Sequence, residues 1–144
     1  MSILGLDIGD KRTGVAISND VSSICTPLNY IPSQDINYFL RDLYNLIIEK
    51  KINKIIIGLP KLLSGKEGQR AKYSRYISKK IKEKNKNLEI VLWDERLTSK
   101  QAEKYLIESG VEKNKMKEKL DSASAVIILE SYILGQRRWE KKLE

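Results

Sequence analysis

The chain has 144 residues, 27 Lys and Arg against 19 Asp and Glu, a formal net charge of +8, no histidine and one cysteine. The missing imidazole excludes Ser-His-Asp and Cys-His catalysis, His-ligated zinc or haem, and a histidine general base. The lone thiol, Cys25, excludes an internal disulfide or a multi-cysteine metal site and suits a reducing compartment, so catalysis would rest on carboxylates, hydroxyls, Lys, Arg or a metal held by oxygens.

In chain order, Ile3–Ile8 is dense enough in apolar residues for a central strand buried on both faces. Gly9-Asp10-Lys11-Arg12-Thr13-Gly14 reads as a turn, and Val15–Ser18 resumes as the second strand of a hairpin. Ile24–Ile31 is a third strand, with Pro27 suggesting an edge position. The spacing of Ile36, Phe39, Leu40, Leu43, Leu46 and Ile47 then predicts a helix ending near Lys50-Lys51. Lys54–Leu59 is a short strand stopped by Gly58 and Pro60. Ser64 with Glu67 three residues later reads as a capping box opening a basic helix, whose thin buried stripe is Ala71, Ser74, Ile77 and Ile81. Glu89–Trp93 is another strand. Thr98 and Gln101 form a second capping box, opening a helix that ends at Gly110. A charged connector, Glu112–Lys119, leads to a last helix over Leu120–Leu134 that is almost wholly apolar and small and ends at Gly135. Three strands followed by alternating helices and strands imply an α/β fold, a mixed sheet with helices on both faces. We expect one domain over residues 1–135 and a charged tail over 136–144. No apolar run approaches a membrane span, and the start, Met1-Ser2-Ile3-Leu4-Gly5-Leu6-Asp7, lacks the basic region of a signal peptide, so a soluble cytoplasmic protein is expected.

The positive charge is concentrated. Residues 61–86 hold ten basic residues and two acids, which is the whole excess of +8. A compact basic segment on a neutral body is the footprint of a polyanion-binding surface. Tyr73 and Tyr76 interleave with these charges, where rim packing competes with base stacking. Three acids sit where a sheet-based site would want them: Asp7 in the first strand, Glu95 past the end of the Ile90-Val91-Leu92-Trp93 strand, and Asp121 at the start of the last helix. A cap or an ion pair would explain Asp121, Asp94 or Glu95 singly; Asp7, between hydrophobes, needs a specific partner. Carboxylates without histidine suit Mg²⁺ or Mn²⁺, and a pair of such ions can activate water and stabilise the leaving oxygen of a phosphodiester. Asp94 and Glu95 are adjacent, so an extended backbone lets only one join such a site; Glu95 is the choice.

Gly5-Leu6-Asp7-Ile8-Gly9-Asp10-Lys11-Arg12-Thr13-Gly14-Val15-Ala16, Gly58-Leu59-Pro60 with Gly65-Lys66-Glu67-Gly68, Asp94-Glu95-Arg96-Leu97-Thr98-Ser99, and Asp121-Ser122-Ala123-Ser124-Ala125 with Ile127–Tyr132 together resemble the YqgF family. Its members are also described as RuvX-type Holliday junction resolvases or pre-16S rRNA nucleases. The resemblance spans nearly the whole chain. It implies an RNase H-like fold, a five-stranded mixed sheet whose first three strands are antiparallel, with helices on both faces. It also implies a nuclease of ribosome biogenesis or DNA recombination. Asp7 would bridge two Mg²⁺ or Mn²⁺ ions, with Glu95 on one and Asp121 on the other. Gly9 and Gly14 would serve tight backbone geometry near the metals or a phosphate. Lys11, Arg12, Lys66, Arg70 and Arg96 are candidate nucleic-acid contacts. Ser124-Ala125 stands where the family usually has two alanines, a change that keeps close helix–sheet packing. The loop Lys61-Leu62-Leu63-Ser64-Gly65 lacks the acid common there. The alternatives are a Holliday junction resolvase, or an assembly factor that binds nucleic acid without cutting it. Asp-x-Gly followed by Gly-Val-Ala also resembles the phosphate loop of sugar kinases and actin-like ATPases, which need two such domains. The partner is pre-rRNA or branched DNA, not a membrane, and the protein would act as monomer or homodimer.

Overall fold

A computed structural model describes residues 2–19, 24–95 and 122–136. The element order is β1 (Ser2–Asp7), β2 (Arg12–Asn19), β3 (Cys25–Pro32), α1 (Ile36–Glu49), β4 (Ile52–Leu59), α2 (Gln69–Lys84) and β5 (Glu89–Asp94); residues 122–136 form a further helix. The strands make one sheet in the order β3-β2-β1-β4-β5. β1–β2 and β2–β3 are antiparallel, joined by short connections, whereas β1–β4 and β4–β5 are parallel. A parallel neighbour needs a crossover, and α1 and α2 supply the two. Pro27 lies on β3, an edge strand of the sheet, where a missing N–H costs least.

Each face of the sheet has its own core. Leu4, Leu6, Ile55 and Ile57 pack against Phe39, Leu43 and Ile47 of α1 and against Ile77 and Ile81 of α2. On the opposite face, Ala16 and Ile56 pack against Ala125, Val126, Ile128, Leu129 and Tyr132 of helix 122–136. Burying a side chain of the Leu, Ile or Phe class contributes about 1.5–3 kcal/mol, so α1, with three buried large residues, is held more firmly than α2, with two. Helix 122–136 approaches the central strand closely because Gly5 has no side chain. A Cβ there would stand 2.9 Å from both the Ala125 carbonyl oxygen and the Leu129 Cβ. Ser122 ties the start of the described helix to the sheet edge by donating its hydroxyl to the Leu28 carbonyl.

Several local expectations are corrected. Gly58 does not stop the fourth strand but lies within β4, paired with Trp93, and the turn after β1 is shorter than Gly9–Gly14, since Arg12, Thr13 and Gly14 already belong to β2. α2 begins at Gln69 behind Gly68, which makes no side-chain cap, so Ser64 and Glu67 are not a capping box. Glu67 instead holds Arg75 through two bonds of 2.6 and 2.8 Å, and Ser64 Oγ accepts from the Lys66 N–H. A chelated guanidinium is a stronger partner for a carboxylate than one backbone N–H. Gly135 does not end the last helix, which continues through Gln136; its missing side chain makes room for the Trp93 ring, 2.9 Å from where a Cβ would be. Asp7 is the final residue of β1 and half-buried, not enclosed within the strand. The expected helix opened by Thr98 and Gln101, the 112–119 connector and all of the tail after Gln136 lie outside the described residues.

Candidate active site

The carboxyl ends of β1, β4 and β5 lie side by side, and the acids collect there. Asp7 sits opposite Gly14 in the β1–β2 ladder. Alternation along β1 puts Leu4 and Leu6 in the α1–α2 core and leaves Gly5 and Asp7 on the face covered by helix 122–136. Glu95 follows β5 directly, its N–H donating to the Leu59 carbonyl at 3.2 Å. Its carboxylate lies over Gly58 of β4, beside Ile128 of the helix, so that any Cβ at Gly58 would collide with both. Trp93 belongs to that same face. Asp94, between Trp93 and Glu95, is set by alternation towards the other face.

Asp7 and Glu95 therefore come together, although 88 positions separate them. The Glu95 carboxyl is pushed up from 4.5 to about 7, chiefly by burial and then by the negative charge of Asp7; Arg70, in the first turn of α2, works in the opposite direction, and Asp94 adds to the rise. Burial and a like-charged neighbour both penalise the ionised form, and a cation between the two groups would relieve both. The donors are carboxylate oxygens, the set that Mg²⁺ or Mn²⁺ prefers. Among the described residues no group of three or more His, Cys, Asp or Glu side chains gathers to hold a metal. Asp121 and Arg96 lie outside the described residues.

The remaining candidates divide. Arg70 stands close enough to the Glu95 carboxylate to act on it electrostatically. Lys11, Arg12 and Lys66 are exposed, and the Arg12 guanidinium lies over the Tyr30 ring at 5.3 Å. Gly9 closes the β1–β2 turn: a Cβ there would run into the Arg12 carbonyl, and the Gly9 carbonyl accepts from the Ser33 hydroxyl at 2.6 Å. Gly14 is buried opposite Asp7. Tyr73 is half-buried, near enough to Asp10 that its hydroxyl pKa is raised by burial and then by that charge, whereas Tyr76 is exposed beneath the Lys80 ammonium. Sequence reasoning did not assign Gly58 a part in the site. Its signal was a glycine in the run Ile-Ile-Ile-Gly-Leu, a mark of close approach inside a strand.

The chain and its fold have known counterparts. The model of the family described as "RuvX: Holliday junction resolvase" matches residues 1–134. A protein of Sulfurihydrogenibium sp. (strain YO3AOP1) named "Putative pre-16S rRNA nuclease" is 45% identical over 132 residues, covering 91% of this chain and 88% of that protein. One of the same name from Bacillus subtilis (strain 168) is 39% identical over 135 residues, covering 92% and 97%. Among solved structures, the Fowlpox virus resolvase bound to Holliday junction DNA superposes with a TM-score of 0.61 at 19% identity, covering 94% of this chain and 99% of that one. T. thermophilus RuvC with its Holliday junction substrate gives 0.61 at 9% identity, covering 96% of each chain. At those identities the likeness establishes the RNase H-like fold, and the sequence match establishes the family: this chain belongs to the RuvX family of Holliday junction resolvases.

Proposed function

We propose that this protein is a metal-dependent endonuclease hydrolysing phosphodiester bonds of structured nucleic acid, and that its substrate is the 5′ end of pre-16S rRNA. The observation that carries the chemistry is the convergence of Asp7 and Glu95 from separate strands, with Glu95 lodged over Gly58. The choice of substrate rests on the names of the relatives from Sulfurihydrogenibium and Bacillus. Asp7 and Glu95, with Asp121 from the start of the last helix, would hold Mg²⁺ or Mn²⁺. Two such ions would supply an activated water and charge stabilisation for the leaving oxygen. Arg70 offsets the negative charge of the pair, and Lys11, Arg12, Lys66 and Arg96 bind the phosphate backbone, where contacts position the substrate without reading its sequence. No helix among the described residues is long and apolar enough to cross a membrane, and we place the activity in the cytoplasm. Branched DNA is the alternative substrate, favoured by the two junction resolvases that share the fold.

The test is cleavage of precursor rRNA and of four-way DNA junctions with Mn²⁺, for wild type and Asp7→Asn, with binding and solution mass followed in parallel. We expect Mn²⁺-dependent cleavage of the RNA that falls by about two orders of magnitude or more in the variant, equivalent to losing about 2.7 kcal/mol of transition-state stabilisation, while binding persists. Equal cleavage by both proteins would overturn the assignment of the chemistry to Asp7, and binding without cleavage by either would overturn the nuclease reading in favour of an assembly factor.

A further inference from the structure

Between α2 and β5 runs a groove of about 660 Å³ lined by Arg75, Lys79, Lys82, Lys86, Ile90 and Leu92, together with Ser78 and two glutamates. It lies away from the Asp7–Glu95 pair and is set by how α2 crosses the sheet. Lys82 donates to the Leu88 carbonyl just before β5, and Arg70, at the other end of the helix, acts on Glu95 just after it. Helix and strand are therefore antiparallel, and the groove between them runs towards the carboxyl end of β5. From Leu92 to Glu95 is three residues, about 10 Å of extended chain.

The charges in this groove do not cancel. Arg75 is held by Glu67, Glu83 is met by Lys80 at 3.7 Å, and Glu89 is met by Lys54 at 3.5 Å. Each of those partners comes from outside the lining. With these pairs set aside, Lys79, Lys82 and Lys86 remain, all without an ion-pair partner among the described residues, above an apolar floor of half-buried Ile90 and Leu92. The opposite flank of α2 differs. Tyr73, Tyr76 and Lys80 lie there, and Lys84 faces α1 across a separate groove lined by Leu40, Arg41 and Tyr44.

We infer that the α2–β5 groove binds single-stranded polynucleotide and leads it to the acidic end of the sheet. Lysines take the phosphates, and the apolar floor takes base faces. A duplex does not fit this chemistry: its bases are paired and stacked within the helix, so it offers no free base faces to the apolar floor. The last clause of the inference, delivery to Asp7 and Glu95, rests on the proposed nuclease function; occupancy of the groove does not.

The experiment measures binding of the full chain to a labelled single-stranded oligoribonucleotide and to a duplex of the same sequence. It is done in EDTA, so that no cleavage occurs, and across a salt series. Lys79→Gln/Lys86→Gln is compared with Lys50→Gln/Lys84→Gln, which removes the same charge outside the groove. We expect wild type to prefer the single strand. The groove variant should lose about ten-fold or more in affinity, and its log-affinity against log-salt slope should shrink by about 1.4, the value for two lost phosphate contacts on a single strand; the control should keep the wild-type slope. As a second measurement, a photocrosslinker on Lys79→Cys should capture the single strand, in competition with unlabelled single strand but not with duplex. Equal losses in the two double variants, preference for duplex, no binding by wild type, or no capture from position 79 would each overturn the inference. Groove-dependent binding by a protein that cleaves nothing would leave the groove standing and remove the nuclease reading.

Discussion

At the level of single residues, the proximity of Asp7 to Glu95 has a thermodynamic signature. The Glu95 carboxyl is raised from 4.5 to about 7, so between these values the folded state binds more protons than the unfolded chain. Stability of the metal-free protein should therefore be greatest below about pH 4.5 as far as this group is concerned, and fall as pH rises through 7. The loss is on the order of 3 kcal/mol. Asp7→Asn removes the like charge but not the burial, so it should shrink this dependence in part. Urea unfolding of both proteins in EDTA from pH 4.5 to 8 measures it; identical pH profiles would show that the two carboxylates do not interact. Asp7 was legible in the sequence because an acid among hydrophobes at a strand needs a reason. The partnership with Glu95 was not, because nothing local links residues so far apart.

Elements are held by short-range devices that sequence reads well and by close approaches that it reads poorly. Asp35 caps α1, accepting from the N–H groups of Asn37 at 2.9 Å and Tyr38 at 3.2 Å. Asp35→Ala should cost about 1 kcal/mol and Asp35→Ser much less, measured by chemical denaturation. Gly5 is different in kind. Gly5→Val would force helix 122–136 away from the central strand, since even a Cβ would stand 2.9 Å from Ala125 and Leu129 atoms. Overpacking of this type costs about 1–3 kcal/mol. A thermal melt should show the loss, and an unchanged midpoint would mean that the helix does not pack on Gly5. The buried stripe of α2 was legible from its spacing, because period 3.6 is a local property. Its start was not: Glu67 is claimed by Arg75, eight residues on and more than two turns away along the chain.

For the molecule as a whole, the two cores on opposite faces make Cys25 a reporter of global opening. The thiol is buried in the face covered by helix 122–136, and its pKa is pushed up to about 11, by burial first and then by Glu130. At neutral pH it should react with a thiol reagent only as fast as the protein opens, and freely in urea. Fast native-state labelling would show that the helix detaches without global unfolding. The mixed sheet was legible as a whole because a hairpin meander followed by alternating helices and strands admits few topologies.

The amino-acid sequence alone determined the order of the elements from β1 through β5, the location of the whole charge excess, the exclusion of histidine chemistry, and the motifs that mark the family. These depend on composition, on periodicity and on residue types at fixed spacing, all of which are local. Only the tertiary structure decided which charges act together. It set Lys80 on one flank of α2, and Lys79 and Lys82 on the other. It cancelled Arg75 with Glu67, and it laid the Glu95 carboxylate over Gly58 beside the end of β1. Burial, Coulomb energy and steric exclusion act through space, so the segment that reads as one uniform basic run becomes two unlike surfaces once the helix is docked on the sheet.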